Sequence, residues 1–384
     1  MPRTAARLAA GTLALALPLT AAVGCGVEKK RTIKAEFASA QANFENSKAT
    51  EVTLRLDDSK GSLEKIMTKG KDGMPKAVAE AVLKGSISYT VDPAGDKTLK
   101  SMSAGASATD LSKQLEKVNL SVVVRDDKSA LAELRLVAGT LYAHVDLAEI
   151  GRLAKAGGVS DFDQKLDGSI GSADPAFAKG LADVRAGKWI KLPLTKYLTQ
   201  LQQLAGSMAP GGIPTPKPGF DGQAFGKKLF TAVKPYVKVT DANDSTSDRV
   251  LDVKVKVRPA LKAALAVLQT DKDLPFVGMF GRVNAAEIDK NVTDGTAKGT
   301  ITLKSGHLTQ FAVDMESIRT LATDPGSDSV DGGRVVVDVD DSASEVSAPD
   351  NVSDFDLGKV LEQFMQGFGS SSSSASAFGG SYQG

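Results

Sequence analysis

The sequence predicts an α+β fold built on an antiparallel β-sheet, and three observations carry that expectation. Apolar residues alternate with polar ones over many short segments, the period of a strand with one wet face. The longest such series, 118–146, contains three alternating runs separated by turn residues, the pattern of an antiparallel meander. The same alternation returns beyond a proline-rich stretch at 210–218. Those later strands have one face to bury and little nearby to bury it against, unless they extend the first sheet.

In chain order, Ile33, Phe37, Ala40 and Phe44 recur at helical spacing and place an amphipathic helix over 32–47. Val52, Leu54 and Leu56 then alternate with Thr53 and Arg55, giving a strand over 50–57. Residues 58–84 read as an insertion rich in Lys and Gly, either a mobile flap or a solvated decoration; within it Pro75 opens a helix that Gly85 stops. Ile87, Tyr89 and Val91 form the next strand, ended by the turn Asp92-Pro93-Ala94-Gly95. In the meander, Leu120, Val122 and Val124 share one face. Leu134 and Leu136 alternate with Glu133 and Arg135, and Leu141, Ala143 and Val145 follow the turn at Gly139.

The middle third is more helical, with candidate helices at 146–156, 174–185, 193–207 and 220–234 and a short strand at 187–192. Four prolines exclude regular structure from 210–218. Strands at 236–240 and 249–258 follow, the second with Leu251, Val253, Val255 and Val257 on one face, and Pro259 opens a helix to 268. Strands at 283–288, 299–303, 308–315, which carries Phe311 and Val313, and 334–340 complete the series. From 369 to 384 the chain is mostly Ser, Gly and Ala and is expected to be disordered. The expected organisation is therefore a leader over 1–24, a tether over 25–31, one domain over 32–368 and a tail over 369–384.

The leader and tether follow from the N-terminus. Arg3 and Arg7 precede an apolar stretch, Leu8 to Thr20, and Ala22-Val23-Gly24-Cys25 comes next. Basic, apolar and small-residue regions in that order form a secretory signal. The last four residues resemble the bacterial lipobox, with Ala22 where Leu is commonest. A lipoprotein signal peptidase requires a small residue before the thiol, because the cysteine first becomes a diacylglyceryl thioether and then the new N-terminus. Residues 1–24 are thus expected to be removed, and Cys25, the chain's only cysteine, to anchor the protein by its acyl groups to the extracytoplasmic face of a membrane. No later apolar run approaches the ~20 residues of a spanning helix. Without residues 1–24, 45 basic side chains face 46 acidic ones, which leaves no basic field for nucleic acid.

Constellations that carry chemistry are scarce. His144 and His307 fall in or beside hairpins and read as surface residues. Gly168-Ser169-Ile170-Gly171 lacks the spacing of a hydrolase elbow, and no Gly-rich phosphate loop opens a helix after a strand. The stretch from Asp241 to Ser245 begins like a calcium loop, but its sixth position is Thr246 and its twelfth is Asp252, so a polar hairpin turn is expected instead. The residues point to a non-enzyme without a metal or cofactor.

A family resemblance adds to this. An N-terminal helix leads into a meander with Leu141-Tyr142-Ala143 after a Gly turn. Lys188-Trp189-Ile190 follows a helical excursion, and Gly306-His307-Leu308 sits in a closing hairpin. Over about residues 32–355 this order resembles the LppX and LprG family of actinobacterial lipoproteins, whose fold is similar to the carrier LolA and the sensor RseB. The resemblance implies one strongly curved antiparallel sheet, a half-barrel, wrapped around helices, with an apolar cavity between them that holds lipid acyl chains. The lining would then come from Val52, Leu54, Leu56, Val122, Val124, Leu134, Leu136, Val253, Val255, Phe311 and Val313. The implied partners are the membrane, through Cys25, and a lipid or other acylated ligand. The same apolar face also suits a close-packed core, and the chain would then be a sensor or interaction lipoprotein.

Overall fold

Alternating strands leave one face to bury and two edges to pair, and the described strands meet the second need in a single sheet. The computed structural model describes residues 33–70, 73–95, 97–103, 115–127, 129–172, 175–197, 222–242, 248–270, 284–324 and 328–355. Helix α1 (Ile33–Asn46) leads into strand β1 (Thr50–Asp58), followed by α2 (Ser62–Met67), α3 (Lys76–Lys84), β2 (Ser86–Pro93) and α4 (Leu99–Ser103). The meander comprises β3 (Val118–Arg125), β4 (Ala130–Val137) and β5 (Thr140–Val145). Three helices follow, α5 (Leu147–Ala156), α6 (Phe162–Ser172) and α7 (Pro175–Arg185), then β6 (Trp189–Pro193). Beyond them come α8 (Gly222–Val233), β7 (Val237–Asp241), β8 (Asp248–Lys256), α9 (Val257–Thr270) and α10 (Ala285–Asn291). The chain continues through β9 (Thr296–Lys304), β10 (His307–Asp314), α11 (Met315–Arg319), β11 (Gly333–Asp340) and β12 (Val352–Asp354).

The twelve strands lie in the order β12-β6-β5-β4-β3-β2-β1-β11-β10-β9-β8-β7. All neighbours are antiparallel except β12 and β6, which run parallel. The sheet is open, with β12 and β7 as its edges. Strands from both sides of residues 210–218 thus share one sheet, because β11 pairs with β1 as well as with β10. Two of its hairpins turn on pairs of residues with positive φ, Ala138-Gly139 at 49° and 76° and Ser305-Gly306 at 49° and 81°. That backbone matches the twist of the flanking strands.

Expectation and structure differ in a few elements. Of the run at 283–288, expected as a strand, residues 285–288 lie instead in α10 and residue 283 is outside the described residues: the Asn284 side chain accepts a hydrogen bond from the Glu287 N–H and caps the helix, and this local cap outweighs a short alternation. The β8 alternation stops at Lys256, since α9 starts at Val257 with Pro259 in its first turn. Helices α2, α4, α6 and α11 and strand β12 are not among the expected elements. Pro193 ends β6, so of the helix expected over 193–207 only 194–197 are seen to be helical; the rest lies outside the described residues. So do Cys25, the tether, the 210–218 loop, most of the Asp241–Ser245 turn and the tail after 368.

One core cluster sits at the β7 end. Phe37 and Ala40 of α1, Val233 of α8 and Ala260 of α9 pack against Leu251, Val253 and Val255 of β8 and Ile301 and Leu303 of β9. Two polar ties set α1 on this part of the sheet. The Asn43 Nδ2 donates to the Gly306 carbonyl at 2.9 Å, and the Arg249 Nη1 lies 3.1 Å from Glu36 Oε2 in a nearly buried ion pair.

The chain after β11 runs as a strap to β12 at the far edge. It starts at Asp341, whose Oδ2 lies 2.7 Å from His307 Nδ1. On the way, the Val346 N–H donates to Asp92 Oδ2 at 3.0 Å and the Arg135 Nη1 donates to the Ser347 carbonyl at 3.2 Å. Asp92 and Arg135 belong to the polar face of their strands, so the strap crosses that face.

Candidate ligand-binding face

Directly opposed residues in neighbouring strands project to the same face, so the register shows which side chains belong together. Leu251 pairs with Ile301, Ile301 with Phe311, Phe311 with Val337 and Val337 with Leu54. The row continues from Leu54 to Ile87, Val124, Ala132 and Val145. The adjacent row runs from Val339 through Val52, Tyr89, Val122, Leu134 and Ala143 to Ile190. Leu56 and Val313 both oppose Val335, Leu136 follows two residues after Leu134, and Val253 and Val255 follow Leu251. All eleven residues expected to line a ligand site therefore stand on one apolar face of the sheet.

Burial divides that face. At the β8–β10 end Val253, Val255 and Val313 are buried, and Phe311 is partly buried against the same cluster. Val253 and Val255 belong to the packed core of α1, α8 and α9 and Phe311 to its margin, while Val313 is buried outside that cluster; Val253 keeps only 3% of its surface in contact with solvent. Over β1–β4 the face is open. Ile87, Tyr89 and Leu134 are 47%, 41% and 45% exposed, while Val52, Leu54, Leu56, Val122 and Val124 around them are half-buried. Leu136, at the far corner, is buried. Single exposed apolar residues are ordinary, but a contiguous group on one sheet face is not.

The opposite face of these strands is the sealed one. Ser88, Thr90, Asp92, Ser121 and Val123 are buried there. Their polar groups are served: Ser88 Oγ lies 2.8 Å from Thr53 Oγ1 and accepts from Arg125 Nη1 at 2.9 Å, and Thr90 Oγ1 donates to Glu51 Oε2 at 3.3 Å. Strand β2 thus hides the hydroxyls of Ser88 and Thr90 and shows its isoleucine and tyrosine. Alternation assigns Ile87 and Tyr89 to a strand but not to the site. The signal that places them there is the pairing of β2 between β1 and β3, which alternation within one segment does not contain.

Charged groups cluster away from the open section. A concavity of about 450 Å³ is lined by Lys60, Ser62, Lys65, Ile66, Lys69, Asp328, Ser329 and Asp331 and shares no residue with the expected lining. Two of its lysines are already paired, Lys60 with Asp331 at 2.7 Å and Lys69 with Asp328 at 2.5 Å. Beside it, Glu316 is held at a pKa of about 2, first by its hydrogen bond from Arg319 and also by the Val330 N–H and the Ser329 hydroxyl. Asp183 of α7 is held below the usual carboxylate range by Lys188 first and then by Ser353 of β12. These groups fasten loops and edges. His144 lies against Trp189, with ring centroids 5.2 Å apart. Among the described residues no three His, Cys, Asp or Glu side chains gather to hold a metal, and no helix is long and apolar enough to cross a membrane.

The chain is similar to two mycobacterial lipoproteins of known structure. One is lipoprotein LppX of Mycobacterium tuberculosis, at 8% sequence identity and a TM-score of 0.28, over 84% of this chain and 100% of that one. The other is LprF of Mycobacterium bovis, at 11% identity and a TM-score of 0.29, over 85% of this chain and 100% of that one. No family model and no curated protein matches the sequence. LppX is a namesake of the family that the sequence resembles.

Proposed function

We propose that the protein is a lipoprotein of the extracytoplasmic membrane face, anchored through Cys25, that binds an acylated ligand on the open section of its sheet and is not an enzyme. The observation that carries this reading is the contiguous exposure of Ile87, Tyr89 and Leu134 in a wholly apolar setting. Fully burying a side chain such as Leu or Ile is worth about 1.5–3 kcal/mol, so water on this section costs the free protein stability that a bound chain would return. An acyl chain of about sixteen carbons needs on the order of 12 kcal/mol of shelter to leave a bilayer. A face several strands wide offers a large share of it, and curvature of the sheet around the chain would supply the rest. The rows around Ile87, Tyr89 and Leu134 carry no charged side chain, which suits a hydrocarbon and disfavours a free ion. A position next to the membrane would put the site beside its source of ligand.

The test is a native mass spectrum of the protein recovered from membranes, before and after organic extraction. Loss of mass on extraction, with a lipid identified in the extract, is the expected result. An unchanged mass, with a stable protein, would oppose the reading. It would favour a sensor or interaction lipoprotein with a filled core instead.

A further inference from the structure

We infer that the Tyr89 hydroxyl is the hydrogen-bonding anchor for an uncharged acceptor on the ligand, the carbonyl of an acyl ester. The inference rests on the function proposed above and adds the chemical class of the ligand. Tyr89 stands in mid-strand, opposite Val52 on one side and Val122 on the other, with Leu134 one strand further. Among the described residues of the two rows Leu54-Ile87-Val124-Ala132 and Val52-Tyr89-Val122-Leu134 it is the one side chain with a polar atom, and its hydroxyl has no hydrogen-bond partner among the described residues. The contrast with its neighbours in sequence is sharp: the hydroxyls of Ser88 and Thr90, on the other face, both have partners.

A ligand that covered this section would take the phenol out of water, and an unserved hydroxyl would then count against binding. A ligand with an acceptor at that point would avoid the cost. Partial burial of the ring pushes the phenol's pKa up, so the group is an O–H donor across the neutral range. A carboxylate or phosphate would bring a charge that nothing on the section balances. An ester carbonyl is uncharged, accepts one hydrogen bond and sits at the head of the acyl chain.

The experiment uses the full-length protein freed of non-covalent lipid and loaded with the neutral fluorescent probe N-phenyl-1-naphthylamine. Methyl palmitate and the unbranched alkane of equal chain length, each delivered from cyclodextrin, compete for the probe. Wild type should release it to the ester at about fivefold lower concentration than to the alkane, the discrimination expected of one hydrogen bond. Tyr89→Phe should keep its melting temperature and its response to the alkane, and lose the preference for the ester. A preference that survives in Tyr89→Phe, or is missing from wild type while both ligands bind, overturns the anchor and leaves the proposed function standing. Release by neither ligand overturns both.

Discussion

Replacing Leu134 with Trp puts a large ring on a strand position that is 45% exposed, beside half-buried Val122. At that exposure the larger ring need not be forced into a closed interior. The same replacement at Val253, which is 3% exposed beneath α1, α8 and α9, must move atoms of the core. Overpacking of that kind costs about 1–3 kcal/mol, or roughly 1–4 °C of melting temperature for a chain of this size. Leu134→Trp should stay within about 1 °C of wild type. Lipid retention should invert that order: Leu134→Trp fills the place of an acyl chain and should abolish recovery of extractable lipid, whereas folded Val253→Trp should retain it. Calorimetry must use delipidated protein, because a bound ligand itself raises apparent stability. Equal losses of melting temperature in the two variants would refute the division of the face into an open and a packed part. Undiminished lipid on Leu134→Trp would refute the assignment of the open part to the ligand.

Three further expectations test other parts of the reading. Cys25→Ala should abolish lipidation and membrane partitioning, and an unmodified wild-type N-terminus, or one at another residue, would remove the anchor. Residues 26–209 alone should aggregate, because without β11 the inner edge of β1 has no partner; a soluble fragment with its own cooperative transition would mean that the single domain expected over 32–368 is in fact two. Acid should destabilise the protein through Glu316. Its pKa of about 2 lies below the unfolded value of 4.5, so its contribution is whole above pH ~4.5 and is lost as pH falls through about 2. With a quarter of the side chain exposed, solvent screening limits the effect to about 1–2 kcal/mol, and Glu316→Gln should flatten the decline between pH ~5 and ~2 in a urea titration.

Much of this architecture is legible from period alone. Strands β1, β3, β8 and β11 announce themselves by alternation, and the same parity assigns most of their apolar residues to one face; Val123, Val250 and Val336 fall on the other. Local signals compete where segments are short. Residues 283–288 alternate like a strand, yet Asn284 and Glu287 form a helix cap, and a cap satisfies backbone donors that a six-residue run leaves open. Helix α6 contains Gly168 and Gly171, which weaken both its propensity and its apolar stripe. Strand β12 has three residues and exists because β6 offers it an edge. What no segment contains is the long-range order. The insertion of β11 between β1 and β10 makes one face of two series of strands, and the placement of α1, α8 and α9 decides which end of that face is covered.

That placement lets one face serve two purposes. Leu251 and Ile301, at 0% and 1% exposure, hold the β8–β9 end against its helices and need no ligand to stay dry. On β2 the usual preference is reversed, and the reversal is supported from behind. Ser88 and Thr90 keep their hydrogen bonds within the sheet, and Val346 closes the strap over the same face while its N–H is satisfied by Asp92. The strands of the open section are therefore held by their neighbours, by the packed end and by the sealed polar side, and covering Ile87 and Tyr89 is not a condition of folding. A surface that the fold does not need to cover is one that a ligand can cover and leave, which is the property a binder of membrane lipids requires.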